Sequence, residues 1–207
     1  MKKIHLIILF MALVSFIISC GRDNTGMKDK AGNQYKTIKI GNQVWMAENL
    51  NYETEFGSWS NENDTLYSKK YGRLYTWETA CTVCPEGWHL PSVEEWEQLI
   101  DFLSKSNLGN KEDLILSLMS GKGWNLVSNN TGSANNSSGF SALPGGYRYY
   151  DGKFYNIGKM GIWWSSSKLP ISEDVYRCVY YINNKNIEQD FVSGWYGASV
   201  RCIKDSI

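Results

Sequence analysis

Thirteen residues near the middle of the chain, Cys84-Pro-Glu-Gly-Trp-His-Leu-Pro-Ser-Val-Glu-Glu-Trp96, bring together a thiol, an imidazole and three carboxylates. A cysteine beside a histidine could form an activated nucleophile, and a histidine beside glutamates could move protons. Cys81-Thr-Val-Cys84 adds the spacing of a redox dithiol and of half a zinc site. The rest of the sequence weighs against each chemistry. His5 and His89 are the two histidines, and His5 lies in an apolar leader, so a two-histidine metal site within the exported chain is excluded. Cys178 and Cys202 do not form a second C-x-x-C, and no βαβ pattern surrounds the first. No Gly-x-Ser-x-Gly elbow occurs. Ser92-Val-Glu-Glu95 has the S-x-x-E form of a capping box, with both glutamates in the first turn, where the helix dipole favours negative charge. The stretch therefore predicts the start of a helix, and the sequence assigns no catalytic residue, no metal and no cofactor.

The elements around it follow from periodicity. Ser92 to Ser104 predicts a helix with Val93, Trp96, Leu99, Ile100 and Leu103 on one face. Lys111 to Met119 predicts a second, capped by Asn110. Tyr35 to Ile40, Gly41-Asn42 and Gln43 to Met46 predict a hairpin. Gly146 to Tyr150, Asp151-Gly152 and Lys153 to Ile157 predict another, turning through a type I′ Asp-Gly pair. Further strands are expected at 162–166, 175–182, 187–191 and 198–203. Residues 51–70 and 121–139 are polar and are expected to be loops. Two helices followed by antiparallel strands give an α+β fold.

Met1-Lys2-Lys3 followed by an apolar run to Ile18 and by Ser19-Cys20-Gly21 has the form of a bacterial lipoprotein signal, cut before Cys20 so that its thiol carries lipid. On this reading residues 1–19 are the signal, 20–33 a flexible tether and 34–207 one domain. Lys2 and Lys3 leave with the signal, so 19 basic residues face 21 acidic ones. The absence of a basic run argues against a nucleic-acid partner. The chain has 9 Trp, 13 Tyr, 7 Phe and 19 Gly, a mixture suited to short strands and tight turns. Cys81, Cys84, Cys178 and Cys202 remain after Cys20, and an even number in an exported chain predicts disulfides, with three pairings open.

Several motifs occur in order: GNQVWMAENLNY (41–52), YGRLYTWETA (71–80), CPEGWHLPSVEEW (84–96), GFSALPGGYRYYDGKFYNIG (139–158), WWSSS (163–167) and SVRCIKD (199–205). Together they resemble the Fibrobacter succinogenes major paralogous domain family, over roughly residues 34–205. That family is similar to the C-type lectin-like fold, which also includes the formylglycine-generating enzymes. The resemblance implies a compact α+β domain with its termini close together. It also implies a bridge from the segment before the first helix to the last strand, carried over as Cys84–Cys202, which leaves Cys81 with Cys178. The E-P-N, Q-P-D and W-N-D signatures of calcium-dependent lectins do not occur. The reactive cysteine pair of the formylglycine-generating enzymes has only Cys178 and Cys202 as candidates, and Cys202 takes the structural position.

The expected function is that of a lipid-anchored, non-catalytic binding or adhesion module of the bacterial outer membrane, with a glycan or a surface protein as ligand. Tyr149, Tyr150, Trp164, Trp195 and Tyr196 are the expected contact residues, with Phe154 and Trp163 as further stacking faces. An enzyme of the formylglycine-generating type and a purely structural envelope lipoprotein are the alternatives.

Overall fold

The computed structural model describes residues 26–106, 110–125, 134–168, 176–183 and 186–206. Chain order begins with β1 (Met27–Lys28), β2 (Gln34–Tyr35), β3 (Thr37–Ile40), β4 (Gln43–Met46) and β5 (Ser58–Trp59). Next come α1 (Thr65–Tyr71), β6 (Leu74–Tyr75), α2 (Trp77–Val83), β7 (Trp88–His89), α3 (Val93–Lys105) and α4 (Lys111–Leu118). The chain ends in β8 (Tyr147–Arg148), β9 (Phe154–Tyr155), β10 (Met160–Lys168), β11 (Tyr176–Asn183), β12 (Ile187–Ser193) and β13 (Ile203–Lys204). This is the expected α+β fold, with antiparallel strands in small sheets.

The C-terminal segment is the seam that joins these pieces. Gly197 pairs with Arg148, Ala198 with Tyr75 and Ser199 with Trp163. The carbonyl of Val200 accepts from Leu50, and that of Cys202 accepts from Met46. Ile203 then lies between Trp45 of β4 and His89 of β7, completing the sheet β3-β4-β13-β7. The expected strand over 198–203 is therefore regular only at Ile203–Lys204, because its earlier residues pair with a different element at almost every step.

Two apolar clusters flank the seam. One gathers Trp45, Trp96, Phe140, Trp163 and Tyr180 under α3 and α4. Trp96 is its hub, with ring centroids 4.9 Å from Trp45 and 5.0 Å from Tyr180. Such pairs add roughly 0.5–1.5 kcal/mol each beyond area burial. The other holds Met46, Leu50, Tyr75, Trp77, Trp164 and Val200.

Three expectations are corrected. The domain begins before Gln34: Met27 is buried, β1 pairs with β2, and Asp29 closes the turn by accepting from the amides of Ala31 and Asn33 and from the Tyr35 hydroxyl. Four α-helices are present among the described residues rather than two. α1 arises inside the expected 51–70 loop because Asp64 caps it and Tyr71 and Ser68 are buried on one side. The β8–β9 connection is not type I′: Asp151 is not in the left-handed region, whereas Gly152 is, at φ +85°. The Gly152 amide donates to Tyr149 and the Tyr149 amide to Lys153, so the loop is a tight turn followed by a glycine bulge.

Candidate functional site

The chemistry-bearing stretch is architecture at every residue that can be traced. Ser92 and Glu95 form the capping box in both directions, 3.3 Å and 2.8 Å. Cys84 is bonded to Cys202, tying the entry to α3 to the seam. His89 lies between two carboxylates, Nδ1 2.6 Å from Asp205 and Nε2 2.8 Å from Glu95. Burial pulls the imidazole pKa down, but hydrogen bonds to Asp205 and Glu95 and the charges of both outweigh that, so the ring protonates more readily than an ordinary histidine. An imidazole held between two acids is a clamp, with both ring nitrogens engaged. Among the described residues, no three of His, Cys, Asp and Glu are placed to hold a metal ion.

The second polar constellation is deep inside. Asn49 Oδ1 accepts from Trp163 Nε1 and from Arg201 Nε, both 2.9 Å, while its amide donates to the Tyr71 carbonyl and to Ser199. Arg201 is fully buried, and among the described residues no carboxylate forms an ion pair with it. Its guanidinium donates to the carbonyls of Met46, Phe140 and Ser141 and stacks 4.3 Å from the Phe140 ring. Burial lowers its pKa to about 9, partly opposed by the charge of Glu48, so it stays protonated at neutral pH. These residues come from five of the sequence motifs and knit five segments together.

Trp164 is corrected as a ligand residue. It is wholly buried, its Nε1 donating to the Tyr75 carbonyl at 2.6 Å, and it has no face to offer. Trp163 is equally buried. Strand alternation would expose one of the two, but β10 is covered on both sides, by α3 on one and by α2 and the seam on the other.

The remaining expected contact residues converge. Tyr149 lies 4.0 Å from Tyr150 and 4.8 Å from Tyr196, measured between ring centroids. Sequence reasoning missed two members: Tyr147 stacks on Tyr155 at 5.7 Å and on Tyr196 at 6.0 Å. The period of two along β8 was the available signal, since it sets Tyr147 and Tyr149 on one face and register brings Tyr155 opposite Tyr147. Tyr150 is 66% exposed and Trp195, next to Tyr196, 70%. Phe154 is half-buried at the edge of the hairpin. Phe56, in the loop before β5, is 79% exposed. Consecutive amides at the start of α2 fix the two loops, Thr76 donating to Gly57 and Trp77 to Gly194.

The platform rests on a closely packed base. Arg148 lies 4.2 Å over the Trp59 ring, and Gly197 is so close that a Cβ there would fall 2.9 Å from that of Arg148. The neighbouring Tyr149 raises the pKa of Tyr150. Partial burial, then Asp151, raises that of Tyr155. Both phenols therefore keep their protons at neutral pH and can donate as well as accept.

Cys81 is exposed on α2. The side chain of Cys178, with which it was expected to pair, lies outside the described residues, as does Cys20. No helix of the described residues is long and apolar enough to cross a membrane.

Comparison with known proteins gives one match. The model of the Fibrobacter succinogenes major domain fits residues 38–204. No curated protein and no solved structure matches the chain.

Proposed function

We propose that in this chain, which belongs to the Fibrobacter succinogenes major domain family, function resides on the exposed tyrosine platform and consists of binding glycans without catalysis. The observation that carries this is the convergence of Tyr147, Tyr149, Tyr150, Tyr155 and Tyr196 beside exposed Trp195. Clustered exposed aromatic faces on a rigid base mark an interaction site. Ring faces suit the apolar faces of sugars, and phenol hydroxyls suit their hydroxyl groups. Around it, Asp151 is engaged by the Tyr155 hydroxyl, Arg148 lies over Trp59, and Lys153 is exposed.

The setting is that of an exported lipoprotein, held by lipid on Cys20 in the outer membrane. The Met1–Gly21 sequence and the disulfide support it. We also infer a C-type lectin-like chain path. It is supported by the bridge from the approach to α3 into the last strand and by the pairing of β13 with β4, which brings the two ends of the domain together.

The test is a glycan array probed with purified protein, followed by Tyr150→Ala and Trp195→Ala. Both side chains are exposed, so thermal midpoints should hold while the double variant loses about tenfold or more in affinity, as expected for two aromatic contacts. Folded protein silent on every glycan, or binding indifferent to both substitutions, would overturn the assignment.

A further inference from the structure

We propose that the face on which the chain enters the fold docks against anionic lipid headgroups. The proposal rests on the reading of Cys20 as lipid-anchored, and its first support is geometric. β1 and its turn fix Gly26 to Lys30 on the domain, with Met27 and Asp29 buried and Lys28 and Lys30 pointing out. Cys20 precedes Gly26 by six residues, a span of at most about 20 Å when fully extended. A lipid on Cys20 therefore holds this face, and no remote one, within about two Debye lengths of the bilayer.

The second support is charge. Gly26 lines a groove of about 1090 Å³ whose margin carries Lys36 and Lys122. It adjoins a pocket of about 280 Å³ bordered by Lys69 and Lys70, sharing Gln34, Tyr35, Glu48 and Leu143 with it. With Lys28 and Lys30, six exposed lysines surround the entry point. The acids facing them are few. Glu48 is the one carboxylate lining either cavity, and its Oε2 accepts from the Lys36 amide at 2.8 Å. Asp29 is buried and engaged by Ala31, Asn33 and Tyr35. The whole chain has 21 basic and 21 acidic residues, so this concentration is a local asymmetry rather than a general excess. Lysine clusters beside a membrane anchor are attracted to anionic headgroups, and attraction and anchor here act on one face. The tyrosine platform lies outside both cavity linings and stays available for its ligand.

The experiment uses full-length chain lipidated in a bacterial host, with the lipid on Cys20 confirmed by mass. It is reconstituted in vesicles of phosphatidylcholine alone and of phosphatidylcholine with phosphatidylglycerol. A membrane-impermeant amine label, read by peptide mass spectrometry, should react with Lys28, Lys30, Lys36, Lys69, Lys70 and Lys122 at least about threefold more slowly on the anionic vesicles. Lys105 and Lys153 should not change, and high salt should erase the difference. Equal labelling on both vesicles overturns the proposal.

A second arm uses the chain without its leader and with Cys20→Ser, floated with the same vesicles. Retention by the anionic vesicles alone is expected. Lys28→Glu/Lys30→Glu/Lys69→Glu/Lys70→Glu should weaken it by about tenfold or more, with an unaltered near-UV spectrum. Retention here with no lipid found on Cys20 would sink the anchor reading and keep the basic face. A lipidated Cys20 with both arms negative would do the reverse. Binding to a soluble acidic polysaccharide without vesicle retention also overturns the proposal.

Discussion

Two basic side chains illustrate how one residue's surroundings decide its role. Arg201 is buried among carbonyls and aromatic rings and serves as a fixed donor, whereas His89 sits near the surface between Glu95 and Asp205. His89 is held above the ordinary histidine value by its two acids, so it gives the fold a pH dependence with a definite sign. Its folded pKa lies above the ordinary 6.5. Its contribution is therefore fully present below the unfolded value and is lost as pH rises through the raised folded value. The ring is 41% exposed, so solvent screens the pair and the effect stays under about 1 kcal/mol. The thermal midpoint should fall from about pH 6 to pH 8, and His89→Gln should flatten that slope without altering the helical signal. A wild-type midpoint constant over this range, or an equal slope in the variant, would contradict the clamp. The capping role of Ser92 and Glu95 was legible in sequence because its partners are three residues apart. Those of His89 were not, since Asp205 is 116 residues away.

At the scale of elements, local signals carried far and distant ones did not. The Gly41-Asn42 hairpin and α3 and α4 stand where turn chemistry and a 3.6-residue period put them. α1 and α2, seven residues each, are too short to show a period and owe their stability to caps and to the seam. The same distance effect hid the burial of Trp164, which depends on Tyr75 and on covering elements far along the chain. Cys84–Cys202 fixes one of the long separations covalently, closing 118 residues. On the chain-entropy estimate that bond adds roughly 5 kcal/mol by restricting the unfolded state. Reduction, or Cys84→Ala with Cys202→Ala, should lower the urea midpoint substantially while leaving the denaturant slope nearly as steep. A reduced protein as stable as the oxidised one would show that the seam holds α3 and β7 without the covalent link.

At the scale of the whole molecule, the fold is a set of small sheets closed by one central segment, and the platform rides on that closure. Tyr196 leads directly into Gly197, which pairs with Arg148 beneath the tyrosines, and the seam continues to Arg201 and Cys202. On the proposed function, a platform so braced would bind without reorganising, which keeps the entropic cost of binding low. Its exposed area is nonetheless small, a few rings rather than an enclosed cavity, and a handful of stacked contacts leaves single-site affinity weak. Held by the lipid proposed on Cys20, the module would escape that limit, because many copies would share one surface. Linking sites raises apparent affinity by about 10²–10⁴-fold when several can engage one chain of ligand. The lipidated protein on vesicles should therefore retain a polymeric glycan far more strongly than the same chain free in solution. Against a short oligosaccharide that fills one platform, the two forms should bind alike. Calorimetry of the free form beside surface retention of the vesicle form reads both quantities. Equal retention of the polymer by both forms would place the affinity within a single domain and require a larger site than the tyrosine platform supplies.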